Sequence, residues 1–183
     1  MGIGLIVKGF TTYEVRNLNP VSYDVSASTS ISASFSPGSA EGYVLSVING
    51  ARNTLSVAAY SFTSQSVADA LIAAHDRGVD VLVVVDNDEG VARYSKIPLL
   101  VKHLIEVRYD SQYAIMHNKF IVSDGTTVET GSFNYSSSAA NRNAENVIII
   151  NKDSDIADIY EKEFSRLWHE SSVHAGPLRH HNE

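Results

Sequence analysis

Between Gly78 and Asn87 the chain reads Val-Asp-Val-Leu-Val-Val-Val-Asp, a near-continuous apolar stretch closed by an acid. A run this short and this apolar fits a strand covered on both faces, and such strands occur in sheets flanked by helices. The neighbouring residues support that reading. Ser39 can cap a helix that carries Val44, Val47, Ile48 and Ala51 on one side. Residues 55–60 read as a buried strand, and 66–77 as a helix stopped by Gly78. A helix is expected over about 91–103, disturbed by Pro98. Strands follow at 105–109, 116–123, 126–132 and 147–151. A short polar helix is expected near 136–144 and an amphipathic closing helix over 154–169. The expected fold class is α/β: a single domain with a mixed, largely buried β-sheet flanked by helices.

The first 38 residues differ in texture, being rich in Ser and Thr. Val25, Ala27, Thr29, Ile31, Ala33 and Phe35 alternate with polar residues, a period-2 pattern that predicts an added strand before the Pro37-Gly38 turn. The expected organisation is therefore 1–38 as an N-terminal segment, 39–170 as the functional domain and 171–183 as a C-terminal tail. No internal repeat is present.

Composition narrows the function. The 183 residues suffice for one domain with a proper core, and none of the apolar runs is long enough to span a membrane. Cysteine is absent, which excludes disulfides, thiolate zinc sites and cysteine nucleophiles but leaves the compartment open. The N-terminal apolar run is short, is preceded by no basic residue and is broken by Lys8, so it makes no clear signal peptide. Ile6 stands where a myristoylation signal wants Ser or Thr. The formal net charge of -7 counts against a broad basic surface for nucleic acid, yet an enzyme needs only a local basic cleft.

The chemistry concentrates in Met116-His-Asn-Lys-Phe-Ile-Val-Ser-Asp-Gly-Thr-Thr-Val-Glu-Thr-Gly-Ser-Phe-Asn134. Side chains alternate along a strand, so His117 and Lys119 share a face. Asp124-Gly125 is a two-residue hairpin signal, and a two-residue loop pairs Ser123 with Thr126. That register sets His117 opposite Ser132 and Lys119 opposite Thr130, with Cβ atoms about 5 Å apart. Asn134 continues the surface. An imidazole, an ammonium, a hydroxyl and an amide together suit proton transfer or nucleophilic attack beside a developing anion. With no carboxylate pair among them, they form an anion cradle rather than a metal site, and no cofactor is expected.

The pattern His117-x-Lys119-x4-Asp124-x6-Gly131-Ser132-x-Asn134 resembles, without gap or mismatch, the HxK…D…GSxN signature of the phospholipase D superfamily. Residues 36–168 are also similar to the short bacterial Nuc-type endonucleases of that superfamily, notably Ala59-Tyr-Ser-Phe-Thr63, Arg77-Gly-Val-Asp-Val81 and Val128 to Asn134. The resemblance implies a phospholipase D-like fold and a metal-independent phosphodiesterase working through a phosphohistidine. It assigns catalytic or phosphate-holding roles to His117, Lys119, Ser132 and Asn134, and an orienting role on the histidine to Glu145. Asp124 belongs to the motif, but its place in the turn argues for a structural part. The mechanism uses two histidines and this chain has one motif, which makes one half-site per chain and calls for a homodimer that shares the site. The resemblance also implies a periplasmic or secreted location.

Three functions compete. The first is a non-specific endonuclease cutting DNA, with RNA as a second substrate. The second is a phospholipid phosphodiesterase, which the lack of an evident anchor or basic amphipathic helix disfavours. The third is a catalytically silent nucleic-acid-binding protein. Asp86-Asn-Asp-Glu89 lacks EF-hand spacing and is read as an acidic strand end. Tyr60, Phe62, Tyr113, Phe133 and Tyr135 are candidates for base stacking, though aromatic residues more often pack the core.

Overall fold

The computed structural model describes residues 29–178. Val25 and Ala27 of the expected first strand, the N-terminal export-signal region, and His180 and His181 lie outside that range. The described chain runs β1 (Ser30–Ser36), α1 (Ala40–Gly50), β2 (Thr54–Ala59), α2 (Gln65–Asp76), β3 (Asp80–Asp86), α3 (Asn87–Gly90), α4 (Ile97–Lys102), β4 (Glu106–Asp110), β5 (Phe120–Ser123), β6 (Thr127–Gly131), α5 (Ser137–Asn141), β7 (Glu145–Asn151) and α6 (Ser154–Glu170). The strands form one seven-stranded sheet in the order β1-β7-β6-β5-β2-β3-β4. β2, β3 and β4 are parallel, and every other pairing is antiparallel. This is the expected mixed α/β architecture.

Helices cover both faces, which is why the β3 run can be apolar throughout. On one side Val44, Val47 and Ile48 of α1 and Leu71 of α2 pack with Leu55, Val57, Val83, Ile121 and Val147. On the other, Ala157, Phe164 and Leu167 of α6 close over Ala58, Val84, Phe120, Val122 and Val128. Gly78 stops α2 at a φ of 91°, where a side chain would be strained. Residues 91–103 do not form one helix. Pro98 falls in the first turn of α4, the place where its missing N–H is harmless.

Two registers differ from expectation. The β5–β6 hairpin pairs Ser123 with Thr127, so its loop has three residues, Asp124 to Thr126, rather than two. Asp124 and Gly125 both take positive φ, as the Asp-Gly signal requires. Thr126 is added because the Asp124 carboxylate is bonded to the β2 entry, accepting from the backbone N–H groups of Arg52, Asn53 and Thr54. Phe120, not Lys119, therefore faces Thr130, and the ladder starts at Phe120. In β1 the alternation is real but inverted. Ser34 and Ser36 are buried, while Ile31 and Phe35 are 61% and 66% exposed. Their partners across the ladder are Ile150 and Asn146 of β7. With Ile148 they leave an uncovered apolar strip on the α6 side of the sheet.

Candidate active site

The candidate residues gather at one end of the sheet, where the parallel strands finish and β5 begins. That end is the usual location of ligand sites in open α/β sheets. His117 lies just before β5, with its ring 4.7 Å from that of Tyr60, the residue after β2, in an edge-on contact. The rest of the ring is open. Burial lowers the imidazole, the Lys119 charge lowers it further, and Asp86 pulls it up.

Lys119 is 6% exposed. Its Nζ donates 2.7 Å to the carbonyl of His117 and sits 5.3 Å from the centre of the Tyr60 ring. Burial pushes the ammonium down to about 8, against the opposing pull of Glu145. Lys119 forms no ion pair among the described residues.

Ser132 follows β6. Its Oγ donates 2.6 Å to Glu145 at the head of β7 and accepts from the Asn146 N–H at 3.0 Å. The close approach depends on Gly131, where a Cβ would fall 2.1 Å from the Asn146 carbonyl oxygen. The second Glu145 oxygen accepts from Asn143 Nδ2 at 2.9 Å. Within one chain, then, Glu145 holds Ser132 and not His117, which departs from the expected orienting role. The one-residue slip also removes the expected direct opposition of His117 and Ser132.

Asn134 has a buried Oδ1 with no partner among the described residues. An orphaned buried acceptor costs about 1–3 kcal/mol unless something reaches it. The two ends of the amide exchange by rotation, so the same position can present donors to an anion. Asp124 does not join this group. It lies at the far end of β5, roughly 16 Å of extended chain from Lys119. Burial alone would raise its carboxyl, but N–H bonds from Thr54, Asn53 and Arg52 hold it below the usual range. Its placement is structural.

A cleft of about 360 Å³ lies beside His117 and Lys119, walled by Phe120, Thr130, Tyr160 and Glu163. A second, of about 400 Å³, flanks the other side of His117 with Tyr113, Ile115 and Arg166. A larger space of about 430 Å³ opens at the Asp124 end and has no histidine or lysine in its walls. Of the stacking candidates, Phe62, Phe133 and Tyr135 are fully buried and belong to the core. Tyr60 is taken by His117, and Tyr113 is exposed with its hydroxyl bonded by Arg166.

A buried acid, Glu129, lies outside the candidate residues. Glu129 is 1% exposed and accepts 2.8 Å from the Tyr135 hydroxyl, so one bond spans the Gly131–Asn134 segment. Burial pushes its carboxyl up to about 8. The observed register sets Glu129 opposite Ile121, whereas the expected two-residue loop would set it opposite Phe120. Asp86, the end of β3, is equally buried.

This geometry sets a histidine and a buried lysine at the mouth of a mixed α/β sheet, with a carboxylate-held serine at the β6–β7 strand ends. The family model for the cardiolipin synthase phospholipase D-like domain matches residues 44–168. The chain belongs to the phospholipase D superfamily. It is 43% identical over 121 residues to the mitochondrial cardiolipin hydrolase of Xenopus laevis, covering 66% of this chain but only 57% of that protein. It is 33% identical over 174 residues to a phospholipase D of Rickettsia bellii, covering 87% and 86%. Among solved structures, the phospholipase D family member Nuc from Salmonella typhimurium superposes with a TM-score of 0.77 at 35% identity, covering 81% of this chain and 99% of that one.

Proposed function

We propose that the protein is a metal-independent phosphodiesterase, a non-specific endonuclease that cleaves DNA through a phosphohistidine at a site shared by two copies. The observation that carries the phosphodiesterase reading is the Lys119 ammonium, buried beside His117 without a carboxylate partner. A buried cation so placed is a seat for an anion, and desolvation strengthens its attraction for a phosphoryl oxygen.

In the proposed reaction the neutral His117 of one copy attacks phosphorus. The N–P bond forms as the P–O bond to the leaving strand breaks in line. His117 of the partner subunit gives its proton to the leaving oxygen, then takes one from water as that water attacks the phosphohistidine and frees the ring. One imidazole cannot reach both sides of phosphorus, so a single motif needs a second copy. Lys119, Ser132 and Asn134 hold the phosphoryl oxygens, and Glu145 aims Ser132. The uncovered strip of Ile31, Phe35 and Ile148 supports a subunit contact, because exposed apolar patches mark interaction surfaces. Nucleic acid is favoured as substrate by the near-complete coverage of Nuc and by the resemblance to Nuc-type endonucleases.

A lipid substrate is the second reading. The named cardiolipin hydrolase relative favours it, as do Tyr113 and Ile115, both exposed beside His117. The two readings separate in parallel assays of wild type and His117→Ala on plasmid DNA and on cardiolipin vesicles. Cleavage of DNA alone, lost in the variant, is expected. Release from vesicles without DNA cleavage would overturn the nuclease reading in favour of the lipid one.

A further inference from the structure

His117 is gripped through its main chain from both sides. On its C-terminal side Lys119 Nζ bonds the His117 carbonyl. On its N-terminal side the Met116 N–H donates 2.9 Å to Oδ2 of Asp86. Asp86 is 1% exposed, and its other oxygen accepts from the N–H groups of Asp88 and Glu89 at 3.0 and 3.2 Å. One carboxylate thus ties the end of β3 and the turn after it to the segment that delivers the imidazole.

We infer that Asp86 is the positioning residue of His117, fixing the main chain that carries the imidazole and setting a negative charge against it. The inference rests on the proposed catalytic role of His117. It also accounts for the acidic stretch Asp86 to Glu89: both oxygens of Asp86 are engaged by backbone N–H groups, which is the pairing a buried carboxylate needs.

Asp86 is the acid whose charge raises His117, while α6 sets Glu163 and Arg166 in the walls of the clefts on either side of the ring. Lys119 presses on the ring from the β5 entry, Tyr60 packs on it from the end of β2, and Asp86 acts from the end of β3. Asp110 is the acid facing Asp86 across the β3–β4 ladder. Burial raises Asp110, the Gln112 N–H bond lowers it, and Glu170 and Asp86 add to the rise against Arg166. The Asp86 charge favours the imidazolium, so removing it moves the His117 titration to lower pH. Both copies of the histidine move together, and the whole bell of rate against pH follows.

The experiment is an NMR titration of His117 in the full-length protein, wild type against Asp86→Asn, with His117→Ala to assign the signal. The midpoint is expected to fall in Asp86→Asn. Turnover should drop roughly 10–100-fold, the range shown by partners that orient histidine ligands, with KM little changed. An unmoved midpoint in a folded variant overturns the inference. Should Asp86→Asn fail to fold, hydrogen exchange on the wild type decides. A Met116 amide protected far beyond that of Ala114 supports the inference, and equal exchange overturns it. Neither readout needs catalysis. A wild type that cleaves nothing would end the phosphodiesterase reading and leave the titration result standing.

Discussion

The Ser132 hydroxyl donates 2.6 Å to Glu145 across the β6–β7 strand ends, and this bond links the motif serine to the charge of the buried lysine. Glu145 pulls the Lys119 ammonium upward against burial. In Glu145→Gln the lysine should therefore lose its proton at lower pH, below the wild-type value of about 8. In this variant kcat is also expected to fall as Ser132 loses its aim. An NMR titration of the Lys119 ammonium in wild type and variant checks the shift, and an unmoved Lys119 midpoint would contradict it.

Lys119 sets function against stability. Replacement by Met should cost about 10²–10³ in kcat, the usual loss when one stabilising charge or donor leaves such a site. The folded protein holds this lysine at about 8, below the ordinary lysine value of 10.5. Between those values the unfolded chain binds more protons, so wild-type stability climbs with pH across that window. Lys119→Met is accordingly expected to melt higher than wild type near pH 7, and the gap should close above about pH 10, the ordinary range of lysine. Thermal melts of both proteins across pH test this.

Glu129 gives the opposite slope. Its carboxyl is raised from 4.5 to about 8, so between those values the native state keeps a proton that the unfolded chain has lost. Wild-type stability should fall as pH rises through that window and level off above it. Glu129→Gln keeps the shape and an acceptor for Tyr135 but cannot ionise. It should match wild type near pH 4 and exceed it near pH 9, by roughly 2–4 °C for each kcal/mol relieved. Parallel melting curves would contradict this.

Asp124 separates fold from chemistry. Asp124→Ala strips partners from the N–H groups of Arg52, Asn53 and Thr54 at once. A loss of about 1–3 kcal/mol in denaturant unfolding is expected, with kcat/KM unchanged. A large loss of activity in a folded variant would return Asp124 to the catalytic group.

Much of this was legible in the sequence because it is local. The apolar run at 79–86 and Gly78 marked element types, and the HxK…GSxN spacing pointed to one surface, although Ser39 at the head of α1 makes no side-chain cap bond. What escaped depended on distant partners. Nothing near Asp124 shows that Arg52 to Thr54 will bond its carboxylate and lengthen the turn, and that one residue undoes the direct pairing of His117 with Ser132. The β1 alternation announced a strand but not its orientation, because Ser34 bonds Ser39 and turns the serine side inward. The bond that Ser132 donates to Glu145 joins neighbouring strands across the α5 connection, and sequence spacing does not choose between Ser132 and His117 as the partner of Glu145.

Sedimentation tests the shared site. A dimer is expected wherever the enzyme is active, with specific activity falling on dilution through the dissociation range. A monomer with full activity would remove the need for a second His117.

The most direct test of the central claim is digestion of plasmid DNA in excess EDTA by wild type and His117→Ala. Full activity under chelation, abolished in the variant, is the expected result. Activity lost to EDTA, or retained without His117, would contradict a metal-independent phosphohistidine mechanism.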